Sequence, residues 1–246
     1  MEPSEGYKLL AEGAARFGVT VTEEQWSRFY DYMRLLQDYN NRVNLTAIKE
    51  DPAIITKHFV DCLSIAPFIQ TGGKTKTLCD IGTGAGFPGI PLKIAKPELR
   101  LILVDSLNKR LLFLEEVVRK LGLENVELVH MRAEDFGRDP SFRDSIDYST
   151  ARAVAPMNTL LELSTPPLKP GGMFIAMKGG RDEGSFESAA SKLALTLDRT
   201  ERFSIDVFDD DGTESAAERI VYIFKKVKPT PKAFPRKAGT PSKEPL

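Results

Sequence analysis

An α/β architecture is predicted for this chain: a doubly wound, mostly parallel sheet with an antiparallel terminal hairpin, preceded by an N-terminal helical segment. Three observations carry that expectation. From Thr77 onward, short apolar runs alternate with stretches of helical periodicity. Four glycines (Gly82, Gly84, Gly86 and Gly89) crowd the junction between the first run and the helix after it. The last two runs are joined by an acidic loop too short to hold a crossover helix. Alternation of this length builds βαβ units, and a short connection permits only antiparallel neighbours.

Residues 7–48 read as helical, because Trp26, Phe29, Tyr30, Met33, Leu36 and Tyr39 recur at three- and four-residue steps and form one buried stripe. Thr22 followed by Gln25 suits an N-terminal capping box. A second helix is expected from about Pro52 to Ile65, with Pro52 in its first turn and Pro67 beyond its end. The next strands are TLCDIG, LRLILVD, NVELVHM, IDYSTA and GMFIAMK, each bounded by glycine, proline or charge as buried parallel strands are. Between them PGIPLKIAK, SLNKRLLFLEEVVRKLGL and PMNTLLELSTPPL are helical, and Gly122 stands where a C′ glycine belongs. A helix over 182–197 then precedes RFSIDVF and RIVYIFKK, the strands of the hairpin, for seven strands in all. The chain divides into a helical region 1–70, a sheet region 71–228 and a basic, proline-rich tail 229–246.

Hydrophobic content of 41% and charged content of 28% suit one sizeable core. Cys62 and Cys79 lack metal-ligand spacing, and only two histidines accompany them, so reduced thiols and no metal site are expected. No apolar stretch approaches the ~20 residues of a membrane helix, and the N-terminus is too acidic for a secretory signal. A cytoplasmic, monomeric protein with no membrane partner is the expectation. The net charge of −1 hides a tail from Lys225 onward with seven basic residues against one acid. That composition suits a poorly ordered arm tracking phosphates, or equally a solvated end.

The glycines lie between a strand and a helix, the context in which bare backbone receives a ligand at the carboxyl end of a sheet. Their G-x-G-x-G spacing departs from the G-x-G-x-x-G dinucleotide fingerprint. Asp105 ends the second run, where a carboxylate can accept both hydroxyls of an adenosine ribose; alone it could be a helix cap. Loop and acid indicate an adenosine-type ligand, NAD or S-adenosylmethionine. After the third run, Glu134 can accept from the adenine amine and the Ala133–Glu134 backbone can reach the ring, although Glu134 alone could be a surface acid. S-adenosylmethionine has no pyrophosphate, so its loop need not close around phosphates. With LKPGGMFIAMKG and a terminal hairpin following, the set looks like a Rossmann-like class I methyltransferase.

A narrower pattern spans nearly the whole chain. Asn44–Ile48, Lys57–Asp61, Asp80–Gly89, Val104–Arg110, Arg132–Glu134, Thr150–Val154 and Pro235–Lys243 together resemble the RsmG (GidB) family of small-subunit ribosomal RNA methyltransferases. Cys62 departs from that pattern, which has serine at this place. The resemblance implies 7-methylguanosine formation in 16S rRNA, with S-adenosylmethionine bound by Gly82, Phe87, Ala133, Glu134 and Arg152; the glycine loop and the strand-end acid add Gly84 and Asp105 to the expected cofactor site. Guanine N7 carries an in-plane lone pair and no proton, so no general base is required and positioning suffices.

On the substrate side, Arg152 and Lys178 are the expected positioning residues, with Asn44, Thr46 and His58 as weaker candidates. Each has a plainer reading. Arg152 could pair with a nearby acid, Lys178 could be a solvated strand end, and Asn44 and Thr46 could cap a turn. His58 reads best as a core histidine with Asp61 as its partner, and Arg110 as a solvent-facing helix residue. Removing 229–246 should raise the RNA KM and spare cofactor affinity. Competing readings are a methyltransferase acting on another RNA, a small molecule or a protein, an NAD-dependent oxidoreductase, and a non-catalytic RNA-binding protein.

Overall fold

The computed structural model describes residues 1–180 and 184–246. Among them a seven-stranded sheet runs in the order β3-β2-β1-β4-β5-β7-β6. Its strands are β1 (Thr77–Ile81), β2 (Arg100–Asp105), β3 (Val126–His130), β4 (Ile146–Arg152), β5 (Leu168–Gly179), β6 (Leu195–Phe208) and β7 (Glu214–Lys226). The first five are mutually parallel, and β7 lies antiparallel to both β5 and β6. Strand order reverses between β1 and β4, so the carboxyl ends of those strands open a crevice.

Side-chain alternation explains why both faces are covered. Leu101 and Leu103 enter one core with Leu78, Ile175 and Ile223, while Ile102 and Val104 enter the other with Ile81, Phe174 and Phe224. On the first face pack α1 (Pro3–Ala15), α2 (Glu23–Val43), α5 (Gly89–Ala95) and α6 (Asn108–Lys120). On the second lie α7 (Ala133–Phe136), α8 (Met157–Ser164) and α9 (Glu187–Lys192). Phe29, Phe59 and Ile65 of the N-terminal region share their core with strand residues.

The helical reading of 7–48 is divided here. α1 ends at Ala15, and α2 starts afresh at Thr22, whose extended backbone and reciprocal bonds with Gln25 form the expected capping box. Gln25 Nε2 also donates to Ile94 O at 3.0 Å, tying α2 to α5. The second expected helix runs as α3 (Asp51–Ile54), a π-helical stretch Ile55–Val60 and α4 (Asp61–Leu63).

Two expectations are corrected. Of the helix expected over 182–197, residues 182 and 183 lie outside the described residues, and only Glu187–Lys192 is helical beyond them. Leu195 already pairs with Lys226, so the hairpin extends far past its expected strands. The tail is also not a loose arm. Arg236 forks onto the fully buried Glu162, with Nε at 3.0 Å and Nη2 at 2.7 Å. Thr159 Oγ1 donates to Pro241 O at 2.9 Å, and a final turn, α10 (Thr240–Lys243), follows. Lys226, counted with the tail's cations, is wholly buried and paired with Asp144. Basic composition therefore overstated the charge that the segment presents to solvent.

A two-lobed cavity at the sheet's carboxyl edge

The ends of β1, β2, β4 and β5 and the start of α7 enclose two adjoining cavities, of about 720 Å³ and 370 Å³. Gly82, Arg110 and Ala153 line both. The glycine loop and the two acids, read from the sequence as binding one adenosine-type ligand, do not share one lobe: Gly84 lines the larger, and Asp105 and Glu134 line the smaller. The lobes remain coupled through a hydrogen bond from Gly84 N to Asp105 Oδ2 at 2.9 Å.

Gly82 forms the partition because nothing larger fits. Its φ is +67°, and a Cβ there would meet Val154 Cγ2 at 2.8 Å. Ala153, facing it at the end of β4, also has a positive φ of 57°. A left-handed alanine costs of order 1 kcal/mol, and strain of this kind gathers at ligand sites. Behind the loop, Tyr32 of α2 donates its hydroxyl to Ala85 O, so the N-terminal region braces the glycines.

In the smaller lobe, Asp105 is almost fully buried. Oδ2 accepts from Gly84 N and from Arg110 Nη1 at 3.1 Å, and Oδ1 accepts from Leu107 N at 2.9 Å. A carboxylate offers about four lone-pair sites, and these bonds take three of them, leaving one. Glu134 lines the same lobe, together with apolar Val104, Met131, Ala133 and Val154. Its Oε1 accepts from Gly239 N at 2.7 Å. A largely polar lobe with two carboxylates and a few apolar side chains suits a nucleoside, whose hydroxyls and amine want acceptors and whose rings want apolar contact. The residues fit an adenosine-bearing cofactor.

The larger lobe is dominated by one linked cluster. Asp61 accepts from Arg152 Nη1 at 3.0 Å on one oxygen and from Arg219 Nε at 2.6 Å on the other. Arg152 Nη1 also donates to Lys57 O at 3.0 Å, its Nη2 lies 3.1 Å from His58 Nδ1, and its Cζ is 4.9 Å above the Phe87 ring. His58 stacks on the same ring at 4.4 Å. His58 Nδ1 lies 3.1 Å from Arg152 Nη2 and 3.2 Å from Lys57 O, and Nε2 lies 3.0 Å from Thr46 Oγ1. Burial, reinforced by the Arg152 charge, pushes the His58 pKa from 6.5 down to about 3. The ring is neutral and committed at both nitrogens, which does not suit a general base.

A pH prediction follows from this ring. Between about 3 and 6.5 the unfolded chain protonates His58 and the folded chain does not. Its contribution is therefore complete above 6.5 and lost on acidification, at up to about 1.4 kcal/mol per pH unit. Asp80, pushed by burial from 3.8 to about 6, has the opposite slope in its own window. The His58 share is thus read as the difference between wild type and His58→Gln in urea denaturation from pH 4 to 7. The difference should shrink as pH falls; parallel curves would refute the assignment.

The other expected residues fall as follows. Lys178 lines the larger lobe and donates to Ala155 O at 2.7 Å. Thr46 reaches that lobe, whereas Asn44 ends α2 in a left-handed turn beside a separate cavity. His58 is buried as expected, but its partners are Arg152 and Thr46, because Asp61 is engaged by two arginines. Arg110 does not simply face solvent; it pairs with Asp105. Asp61 and Arg219 were missed as site residues. Asp61 lay within the quoted Lys57–Asp61 motif, but Arg219 carried no signal beyond opening a strand candidate. Both thiols are fully buried, and burial raises their pKa values, that of Cys79 to about 12, so neither suits a nucleophile.

Comparison with solved structures places the architecture. A precorrin-6y C5,15-methyltransferase from Geobacter metallireducens superposes with a TM-score of 0.52 at 14% identity, over 69% of this chain and 88% of that one. The M. jannaschii TYW2 structure, in complex with AdoMet, gives 0.51 at 17% identity, over 68% and 75%. The sheet order is that of the class I methyltransferase fold. Residues 25–211 match the family model GidB, rRNA small subunit methyltransferase G. Ribosomal RNA small subunit methyltransferase G of Acetivibrio thermocellus is 46% identical over 239 residues, 97% of this chain and 96% of the relative. That of Oceanobacillus iheyensis is 45% identical over 246 residues and all of both chains. The chain belongs to the rRNA small subunit methyltransferase G family.

Proposed function

We propose that the chain methylates N7 of one guanosine in 16S rRNA, within the small ribosomal subunit or a precursor of it, using S-adenosylmethionine. The observation that carries this reading is the pair of lobes meeting at Gly82 and Ala153. One is nucleoside-sized and flanked by acids; the other is larger and walled by Arg152, Arg219, Lys178 and Lys57. Bound S-adenosylmethionine supplies an electrophilic methyl group.

In this reading Asp105 and Glu134 hold the cofactor's nucleoside, Ala133 and the Gly82 main chain bound it, and Gly84 and Phe87 wall the adjoining larger lobe. Arg152 and His58 pack on the Phe87 ring, and Lys178 lines the substrate side. No residue need take a proton from guanine N7, which agrees with a histidine already bonded at both nitrogens. Holding the reactants at near-attack distance can supply up to ~7–11 kcal/mol. A small-molecule substrate is disfavoured by family membership.

The test is incubation with labelled S-adenosylmethionine and small subunits, or their rRNA, from a strain lacking the modification, followed by nucleoside mass analysis. Label in 7-methylguanosine is expected, with transfer that weakens steeply as salt rises. Label in another nucleoside, or none, would overturn the proposal.

A further inference from the structure

We infer that the C-terminal segment 229–246 forms part of the cofactor site, and that Arg236 is the positioning residue that holds it there. This rests on the reading that the smaller lobe takes the adenosine of S-adenosylmethionine. Three facts carry it. The main-chain amide of Gly239 donates to Glu134 Oε1 at 2.7 Å, so the carboxylate facing the nucleoside is oriented by the segment. Ser242, in the following turn, lines the mouth of the same lobe. Upstream, the segment is fastened by side chains of the fold's own helices and loops rather than lying loosely on them.

That fastening is specific. Arg236 meets Glu162 of α8 through its backbone N–H at 2.6 Å and through both Nε and Nη2, and Glu162 is fully buried. A planar fork on a carboxylate fixes orientation as well as distance. Arg138 Nε donates to Pro235 O, and Arg143 Nη1 to Phe234 O, each at 2.9 Å. Thr159 Oγ1 holds Pro241 O beyond the Gly239 turn. The segment is thus pinned on both sides of Gly239, and its amide is delivered to Glu134 as a fixed donor. Composition suggested an arm tracking phosphates or a solvated end, neither of which would touch the cofactor.

The experiment is calorimetric titration of S-adenosylmethionine and S-adenosylhomocysteine into the full chain and into Arg236→Ala, Arg236→Lys, Ser242→Phe and Asp105→Ala. Arg236→Ala should weaken both ligands about tenfold, the scale of one lost charge-assisted contact. Arg236→Lys should recover part of that loss. Ser242→Phe, which leaves the anchor intact, should weaken them comparably at unchanged melting temperature. In turnover, the KM for S-adenosylmethionine should rise while the RNA KM and kcat hold. Hydrogen exchange in residues 236–243 should slow when S-adenosylmethionine saturates the wild type.

If Asp105→Ala loses affinity while Arg236→Ala and Ser242→Phe bind as wild type, the segment's role is overturned and the cofactor reading stands. If all three bind as wild type, both fall. A lower melting temperature for Arg236→Ala with unchanged affinity and unchanged exchange would reduce the segment to a structural clasp and overturn the inference.

Discussion

Replacing Asp61 with alanine is expected to destabilise the protein by about 3–5 kcal/mol and to abolish methyl transfer. The side chain is only 5% exposed, and each oxygen faces a different guanidinium, Arg152 at 3.0 Å and Arg219 at 2.6 Å. Removing the acid leaves two enclosed cations with no counter-charge, the costly way to break a buried pair. The damage would spread through contacts already described. Arg152 sits over Phe87 and bonds His58, and Arg219 belongs to β7, so three distant chain segments meet at this carboxylate. Asp61→Asn keeps the shape and one acceptor oxygen and should retain part of the stability. Urea denaturation measures both. A loss below about 1 kcal/mol for the alanine variant, typical of an exposed pair, would show that the cluster is not the keystone assigned to it.

Asp105→Ala should weaken S-adenosylmethionine binding by about ten- to a hundredfold, from hydrogen bonds to a charged group worth about 1.5–3 kcal/mol. The upper end is expected here. The same carboxylate fixes the loop through Gly84 N and the start of α6 through Leu107 N and Arg110. Losing it would loosen the surface against which the nucleoside lies, as well as removing an acceptor. Asp105→Asn, with one acceptor oxygen left, should fall between. Titration calorimetry reads all three proteins, and an unchanged affinity in the alanine variant would remove the nucleoside from this lobe.

The sheet was legible because its strands are buried on both faces and stand out as apolar runs between punctuating glycines and charges. Helix α9 and the start of β6 were not. Ala189, Ala190 and Leu193 keep helical spacing up to the residue where pairing with Lys226 takes over, and that partner is remote in sequence. Asp105 and Glu134 stood out as cofactor-side candidates because one closes the second apolar run and the other follows the third, in register with the glycines. The Asp61 cluster was opaque for the opposite reason. Arg152 and Arg219 lie 91 and 158 residues away, and nothing local marks them as partners. Arg236 likewise looked like one cation among many until Glu162 was found beneath it.

The brace from Tyr32 to Ala85, together with the core that Phe29, Phe59 and Ile65 share with the strands, bears on how this protein can be trimmed. A fragment starting at residue 71 would carry a naked oily flank and an unsupported glycine turn. It should emerge as insoluble material rather than as a smaller working enzyme, whatever its sheet could form alone.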